Sequence, residues 1–66
     1  MAKPSVGTQV VAIKDIGGFL RPHIPKGTRG VVTKAGWGEF KVLFTIGKMF
    51  GGTEQHEIDV DTTDVS

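Results

Sequence analysis

The chain has 66 residues, no cysteine and a formal net charge of +1. This length allows one hydrophobic core, and the lack of cysteine excludes disulfide bonds and cysteine-ligated zinc. No apolar run approaches the roughly 20 residues of a membrane span, and the N-terminus has no apolar signal stretch. We therefore expect one cytoplasmic domain over residues 1–66, with residues 1–5 and 66 disordered.

The charged residues divide at Phe50. All eight Lys and Arg precede it together with two acids, which gives +6, whereas the residues after it carry five acids and no Lys or Arg, which gives −5. Such asymmetry is typical of a basic binding face with an acidic tail, or of a tail that folds back beside basic strands. We favour the second interpretation, in which the opposite charges neutralise each other.

The apolar pattern favours strands over helices. No stretch of eleven residues has apolar side chains at helical spacing, whereas β-branched runs bounded by glycine predict strands over residues 8–14, 29–35, 39–46 and 53–60. In the third of these, Phe40, Val42 and Phe44 alternate with the other side chains. This period of two predicts that they face the core.

The connections carry their own signals. Residues 15–28 contain Pro22 and Pro25, which interrupt regular structure, yet they include too many apolar side chains for a solvated linker and predict a long ordered loop. The Gly36-Trp37-Gly38 sequence predicts a tight hairpin, and residues 47–52 predict a loop. Residues 61–65 predict a 3₁₀ turn that buries Val65. Gly30 is expected at a strand position where another backbone approaches closely. Together these elements predict a small closed or nearly closed barrel of four or five strands, with an up-and-down sandwich as the alternative.

A family resemblance follows from this order of elements. The chain reads G-x-x-V from Gly7, then a long loop, then K-G-T-x-G-x-V from Lys26, V-x-F from Val42 and a terminal D-x-x-D-V from Asp61. This order resembles small bacterial SH3-like barrels, above all an uncharacterised family of short bacterial proteins, and more distantly KOW-type, Tudor-type and photosystem accessory barrels. The resemblance implies an all-β SH3-like barrel of four to five antiparallel strands, with a long first loop and a short C-terminal 3₁₀ turn.

Function does not follow from that resemblance. SH3-like barrels host nucleic-acid binding, peptide binding and assembly into complexes, and the shared residues here are turn glycines and core positions. One enzyme with this fold, the plasmid-borne dihydrofolate reductase, uses a V-Q-I-Y strand, whereas residues 55–58 here read Q-H-E-I.

Neither histidine indicates catalysis or metal binding. His23 lies in the long loop and His56 in the last strand, and neither belongs to a catalytic motif. A metal site of Glu54, His56 and Glu57 is conceivable, but adjacent strand residues point to opposite faces and separate His56 from Glu57. We expect no enzyme activity, no metal or other cofactor, and no small-molecule substrate.

Apolar side chains in the loops favour a protein contact. Exposed apolar side chains that cluster mark interfaces, so we expect a protein partner or self-association. In the alternatives, Trp37 folds back as a core cap and Phe50 plugs one end of the barrel. The candidate protein-binding residues are Phe19, Leu20, Trp37, Met49 and Phe50.

A basic face offers a second hypothesis. Nucleic-acid binding needs cations for phosphates and aromatic rings for stacking, and if Lys34 and Lys41 lie across a hairpin, Trp37 lies at the tip of a basic ridge. The pI of about 8.1 is below the value above about 9 that is typical of dedicated nucleic-acid domains. The candidates are Lys14, Arg21, Lys26, Arg29, Lys34, Trp37 and Lys41. The sequence therefore predicts a non-catalytic binding module, adaptor or subunit, with weak nucleic-acid binding as the alternative.

Overall fold

The computed structural model describes residues 3–17, 22–48 and 50–66. The described residues form β-strands and one short 3₁₀ turn, and no α-helix occurs among them, which confirms the all-β prediction. The elements are β1 (Gln9–Val11), β2 (Arg29–Gly36), β3 (Glu39–Gly47), β4 (Thr53–Asp59) and a 3₁₀ turn at Thr62–Asp64.

The four strands form one antiparallel sheet in the order β1-β2-β3-β4. Each strand pairs with the next one along the chain, as glycine-containing connections favour. Strands β1 and β4 occupy the two ends of this order, and the sheet of the described residues is open. Closure into an SH3-like barrel stays a prediction.

The C-terminal residues return to the sheet beside β1. Val11 and Ser66 exchange two backbone hydrogen bonds of 2.9 Å, and the amide of Ile13 donates to the carbonyl of Asp64 at 2.9 Å. Ala12 forms an isolated bridge with Val65. Residues 64–66 thus cover the side of β1 that faces away from β2, including Ser66, which sequence reasoning placed outside the ordered domain.

Strand β1 covers only Gln9–Val11 and is shorter than the predicted span of residues 8–14. The amide of Ala12 donates to the carbonyl of Thr28, the residue before β2, at 2.9 Å. The amide of the next residue, Ile13, donates to the carbonyl of Asp64 on the other side of the strand. Beyond this point the chain bends into the long loop. There Ile16 and Ile24 form a bridge and are both buried. The described part of the loop is therefore ordered and contributes to the core, as its apolar content predicts.

One face of the sheet forms the core. The alternation predicted for β3 is confirmed, since Phe40, Val42 and Phe44 are all buried. Burial of such a side chain contributes about 1.5–3 kcal/mol each, and the neighbouring strands add apolar side chains on the same face. The buried set is Val10, Ala12, Ile16, Ile24, Val32, Phe40, Val42, Phe44, Ile58 and Val65.

Gly30 lies where the core leaves no space for a side chain. A Cβ at this position would lie 2.6 Å from Cγ1 of Val42 and 2.9 Å from Cδ1 of Phe44. These distances are far below van der Waals contact, and the carbonyl of Leu43 lies at 3.0 Å. The expected approach of another backbone is met by the Leu43 carbonyl alone, and the two closest atoms at Gly30 belong to side chains of β3.

We expect Gly30→Ala to destabilise the fold by about 1–3 kcal/mol, because the new methyl group forces Val42 and Phe44 out of place. Urea denaturation followed by circular dichroism measures this loss. Gly36→Ala in the same strand is the matched control, since a Cβ there meets nothing within 4 Å. Equal stability of the two variants would contradict this account of the core.

Candidate functional site

Trp37 lies at the tip of the hairpin between β2 and β3. The strands pair up to Gly36 and Glu39, so the connection has only two residues, Trp37 and Gly38. Gly38 has φ +67°, a left-handed conformation that glycine adopts without strain. The side chain of Trp37 is fully exposed. The alternative in which Trp37 folds back as a core cap is therefore wrong.

The backbone around Trp37 is held from both sides. The Nζ of Lys3 donates to the carbonyl of Gly36 at 2.8 Å and is 3.3 Å from the carbonyl of Glu39. The Nζ of Lys34 lies 3.7 Å from Oε1 of Glu39. These contacts fix the ends of the two-residue turn, which presents the indole on an ordered support.

Lys34 and Lys41 are directly opposite each other in the β2–β3 ladder, as the ridge hypothesis requires. A register shift between Val32 and Lys34 produces this pairing, and the hydroxyl of Thr33 at the shift donates to the carbonyl of Lys41 at 3.3 Å. Like charges directly opposite each other disfavour pairing. Here acids accompany both lysines, because Lys34 contacts Glu39 and Lys41 pairs with Asp59 of β4.

Phe50 lies in the loop between β3 and β4. The amide of Lys48 donates to the carbonyl of Gly52 at 3.2 Å and closes this loop, and Gly51 and Gly52 both have positive φ. The side chain of Phe50 is 96% exposed. The alternative in which Phe50 plugs one end of the core is wrong.

Among the described residues, the exposed aromatic side chains of Trp37 and Phe50 lie at opposite ends of β3. Trp37 precedes β3 and Phe50 follows it, and the nine residues of β3 span about 30 Å at the usual rise per residue. Trp37 and Phe50 therefore belong to two separate surfaces. The other candidates for protein binding, Phe19, Leu20 and Met49, lie outside the described residues.

The candidate basic residues also divide between locations. Lys26 and Arg29 lie beside Thr45 and Gly47, at the end of the sheet far from Trp37. Lys14 lies at the C-terminal turn, and Arg21 is outside the described residues. Of the predicted basic face, the structure brings together Lys34 and Lys41 near Trp37.

The acidic tail compensates the basic strands, as the favoured interpretation of the charge asymmetry predicts. The Nζ of Lys14 lies 2.8 Å from Oδ1 of Asp64, and the Nζ of Lys48 lies 4.0 Å from Oε1 of Glu54. Lys41 also lies opposite Asp59 across β3 and β4. Acids of the tail therefore lie beside lysines at three places.

A capping box holds the C-terminal 3₁₀ turn. The amide of Thr63 donates to Oδ1 of Asp61 at 3.0 Å, and the amide of Asp61 donates to Oδ2 of Asp64 at 3.0 Å. The Thr63 amide lowers the pKa of the Asp61 carboxyl, and the Lys14 ammonium lowers that of Asp64. Hydrogen bonding to Asp64 in turn raises the pKa of Lys14.

His56 has one acidic neighbour on its own face. Its Nε2 lies 3.4 Å from Oε2 of Glu54, whereas Glu57 pairs with Leu43 on the opposite face of the sheet. Among residues 3–17, 22–48 and 50–66, no three His, Cys, Asp or Glu side chains gather as metal ligands do. The two faces of β4 thus separate His56 from Glu57, as their spacing predicts.

The outer face of the sheet carries apolar side chains that sequence reasoning did not select. Val11 and Val31 are 38% and 39% exposed, and with Gln9, Arg29 and Thr45 they line a shallow depression of about 380 Å³. The runs Val10-Val11 and Val31-Val32 place valine on both faces of a strand. Such runs lack the alternation that distinguishes an outer face from a core face.

Comparison with known proteins adds no relative. No model of a protein family matches the chain, and neither a curated protein nor a solved structure matches it. In the described part of the chain, no helix has the length and apolar character needed to cross a membrane.

We expect Asp64→Asn to lower the free energy of unfolding at neutral pH. The variant's free energy of unfolding should also change less than that of the wild type as the pH is lowered. A carboxyl whose pKa is lowered on folding stabilises the fold above its unfolded pKa of about 3.9, and this contribution disappears as pH falls through the lower folded pKa. Wild type and variant should therefore converge as the pH falls through the lowered folded pKa of Asp64, in thermal unfolding followed by circular dichroism.

Glu57→Gln is the control for this experiment, because it removes one acid from the exposed face of β4. The dependence of its stability on pH should stay close to that of the wild type. Parallel curves for Asp64→Asn and wild type from neutral to acid pH would contradict the role of the Lys14–Asp64 pair.

Proposed function

We propose that this chain is a non-catalytic SH3-like binding module, an adaptor or subunit that contacts a protein partner or a second copy of itself. The single observation that carries the proposal is the fully exposed side chain of Trp37 on a two-residue turn. Trp37 is the primary anchor of the contact, and Phe50 forms a second, separate contact at the other end of β3.

An exposed tryptophan on an ordered support is well suited to binding. Tryptophan buries a large area at low cost in side-chain entropy and is enriched among the residues that dominate binding energy at interfaces. The contacts of Lys3 and Lys34 order the backbone around Trp37 before any partner arrives. Such preorganisation reduces the entropic cost of association.

The return of the C-terminus to β1 supports the SH3-like barrel in this proposal. Residues 64–66 continue the sheet beyond β1 after the 3₁₀ turn, so the last segment of the chain lies beside the first strand. Small barrels bring their first and last strands together in this way.

We expect Trp37→Ser to weaken association while leaving stability within about 0.5 kcal/mol of the wild type, since the indole packs against little of the fold. Sedimentation velocity over a range of concentrations measures self-association. An aromatic photoreactive residue at position 37 keeps a ring at the tip of the hairpin, and mass spectrometry of its adducts identifies a protein partner. Phe50→Ser tests the second contact by the same measurements.

The matched control is a photoreactive residue at Thr63, which is exposed in the C-terminal turn. Adducts should form at position 37 and not at position 63. A monomer at every concentration together with identical adduct patterns at the two positions would contradict the proposal. A large loss of stability in Trp37→Ser would show that the indole acts in folding.

A second candidate function is weak nucleic-acid binding, and the pairing of Lys34 with Lys41 favours it. The two ammonium groups lie on neighbouring strands below the tip residue Trp37, so phosphates and a stacked base could be bound together. The carboxylates of Glu39 and Asp59, beside Lys34 and Lys41, reduce the positive electrostatic potential of these two lysines. Binding through the ridge would therefore be weak and sensitive to salt.

For this second function we expect oligonucleotides to quench Trp37 fluorescence at low salt and to lose affinity as salt rises. The double variant Lys34→Gln, Lys41→Gln should weaken the quenching. Lys48→Gln, at the other end of β3, is the control and should not. Unchanged fluorescence with single- and double-stranded oligonucleotides up to about 100 μM would exclude the ridge as a nucleic-acid site.

A further inference from the structure

Strand β4 leaves one side of its backbone without a partner in the described sheet. The amide of Val60 donates to the carbonyl of Phe40 at 3.1 Å, and the register continues this pairing through Ile58, His56 and Glu54. Alternate residues of an antiparallel ladder bond to the same neighbour. The backbone groups of Thr53, Gln55 and Glu57 therefore point away from β3, where the described residues provide no further strand.

The two edges of the sheet differ in this respect. Residues 64–66 cover β1 through bonds of Val11 and Ile13, whereas β4 is the last strand in the order. An uncovered row of amides and carbonyls is a template for an added strand. At seven residues, β4 is long enough to pair with an extended peptide.

The side chains of β4 determine which peptide fits. The strand reads TEQHEID and has no Lys or Arg. On its outer face Gln55 and Glu57 are exposed, and Glu57 forms none of the ion pairs found among the described residues. Opposite charges on neighbouring strands stabilise pairing, and like charges oppose it.

We propose that the open edge of β4 binds an extended, basic peptide segment as an additional antiparallel strand. The backbone of Thr53, Gln55 and Glu57 supplies the hydrogen bonds. Alternating Lys or Arg side chains of the peptide all project to one face of the added strand and lie beside Glu57 on the outer face of the sheet.

The same acids disfavour other occupants. A second copy would bring another acidic β4 without a compensating cation, and like charges across an interface lower affinity for the wrong partner. Charged edge strands also prevent uncontrolled sheet extension. The acids thus protect the edge from copies of itself while admitting a cationic strand. This site does not depend on Trp37 or on the function proposed for it.

Two synthetic peptides test the charge selection. A seven-residue peptide of alternating lysine and threonine should bind, and a peptide of alternating glutamate and threonine should bind at least about tenfold more weakly. Fluorescence polarisation of labelled peptides measures both affinities, and rising salt should weaken the first. Equal binding of the two peptides, or no binding of the basic peptide, would overturn the proposal.

A third peptide separates strand addition from plain electrostatic attraction. Methylation of alternate backbone nitrogens removes donors from the basic peptide and keeps every charge. We expect it to lose at least about tenfold in affinity. Affinity equal to that of the unmethylated peptide would show that charge alone attracts it, which would also overturn the proposal.

Variants of β4 locate the site. Gln55→Pro removes an outward-facing amide, a substitution that edge strands tolerate, and should abolish peptide binding. Gln55→Thr keeps the amide and is the control. Glu57→Lys should reverse the preference toward the acidic peptide. Trp37→Ser should leave binding unchanged, so the result is independent of the function proposed for Trp37.

Hydrogen exchange gives a direct readout of the geometry. The amides of Gln55 and Glu57 should exchange more slowly in the presence of the basic peptide, whereas those of His56 and Ile58 already bond to β3 and should change less. Protection confined to other strands would contradict strand addition at β4. A dimer that forms without peptide and disappears in Gln55→Pro would show instead that the edge pairs with a second copy.

Discussion

The packing of β3 against its neighbours is the interaction on which the rest of the structure depends. Phe40, Val42 and Phe44 point to one face and are buried, and both β2 and β4 pair with this strand. The absence of a side chain at Gly30 allows Phe44 and Val42 to approach β2 closely. In a chain without disulfides, this contact provides much of the burial that a small core requires.

The same central strand decides where the candidate binding surfaces lie. Because β3 has nine residues, its two hairpins are far apart, and the exposed side chains of Trp37 and Phe50 cannot form one patch. The side of β4 that pairs with no described strand is a third surface, of different chemistry. A small domain with separated contacts of this kind is suited to joining partners, in agreement with the proposed role as an adaptor or subunit.

Charge connects the fold with these surfaces. The acidic tail forms ion pairs through Asp64 and Glu54 with Lys14 and Lys48, while Glu57 takes no part in the ion pairs of the described residues. Compensation reduces any general basic face, and of the β4 acids it leaves Glu57 as the charge that the proposed basic peptide would meet. The small net charge of +1 therefore results from basic and acidic residues that are separated along the chain.

The sequence by itself determined the strands, the turns and most of the core. Alternation in β3, paired valines in β1 and β2, and glycine at the connections depend on neighbours close in the chain, so the pattern reveals them. Only the tertiary structure decided whether Trp37 and Phe50 are buried or exposed. It also decided that Ser66 pairs with Val11, that Lys34 lies opposite Lys41, and which edge of the sheet has no further strand among the described residues. These features depend on contacts between residues distant in sequence, which local periodicity does not encode.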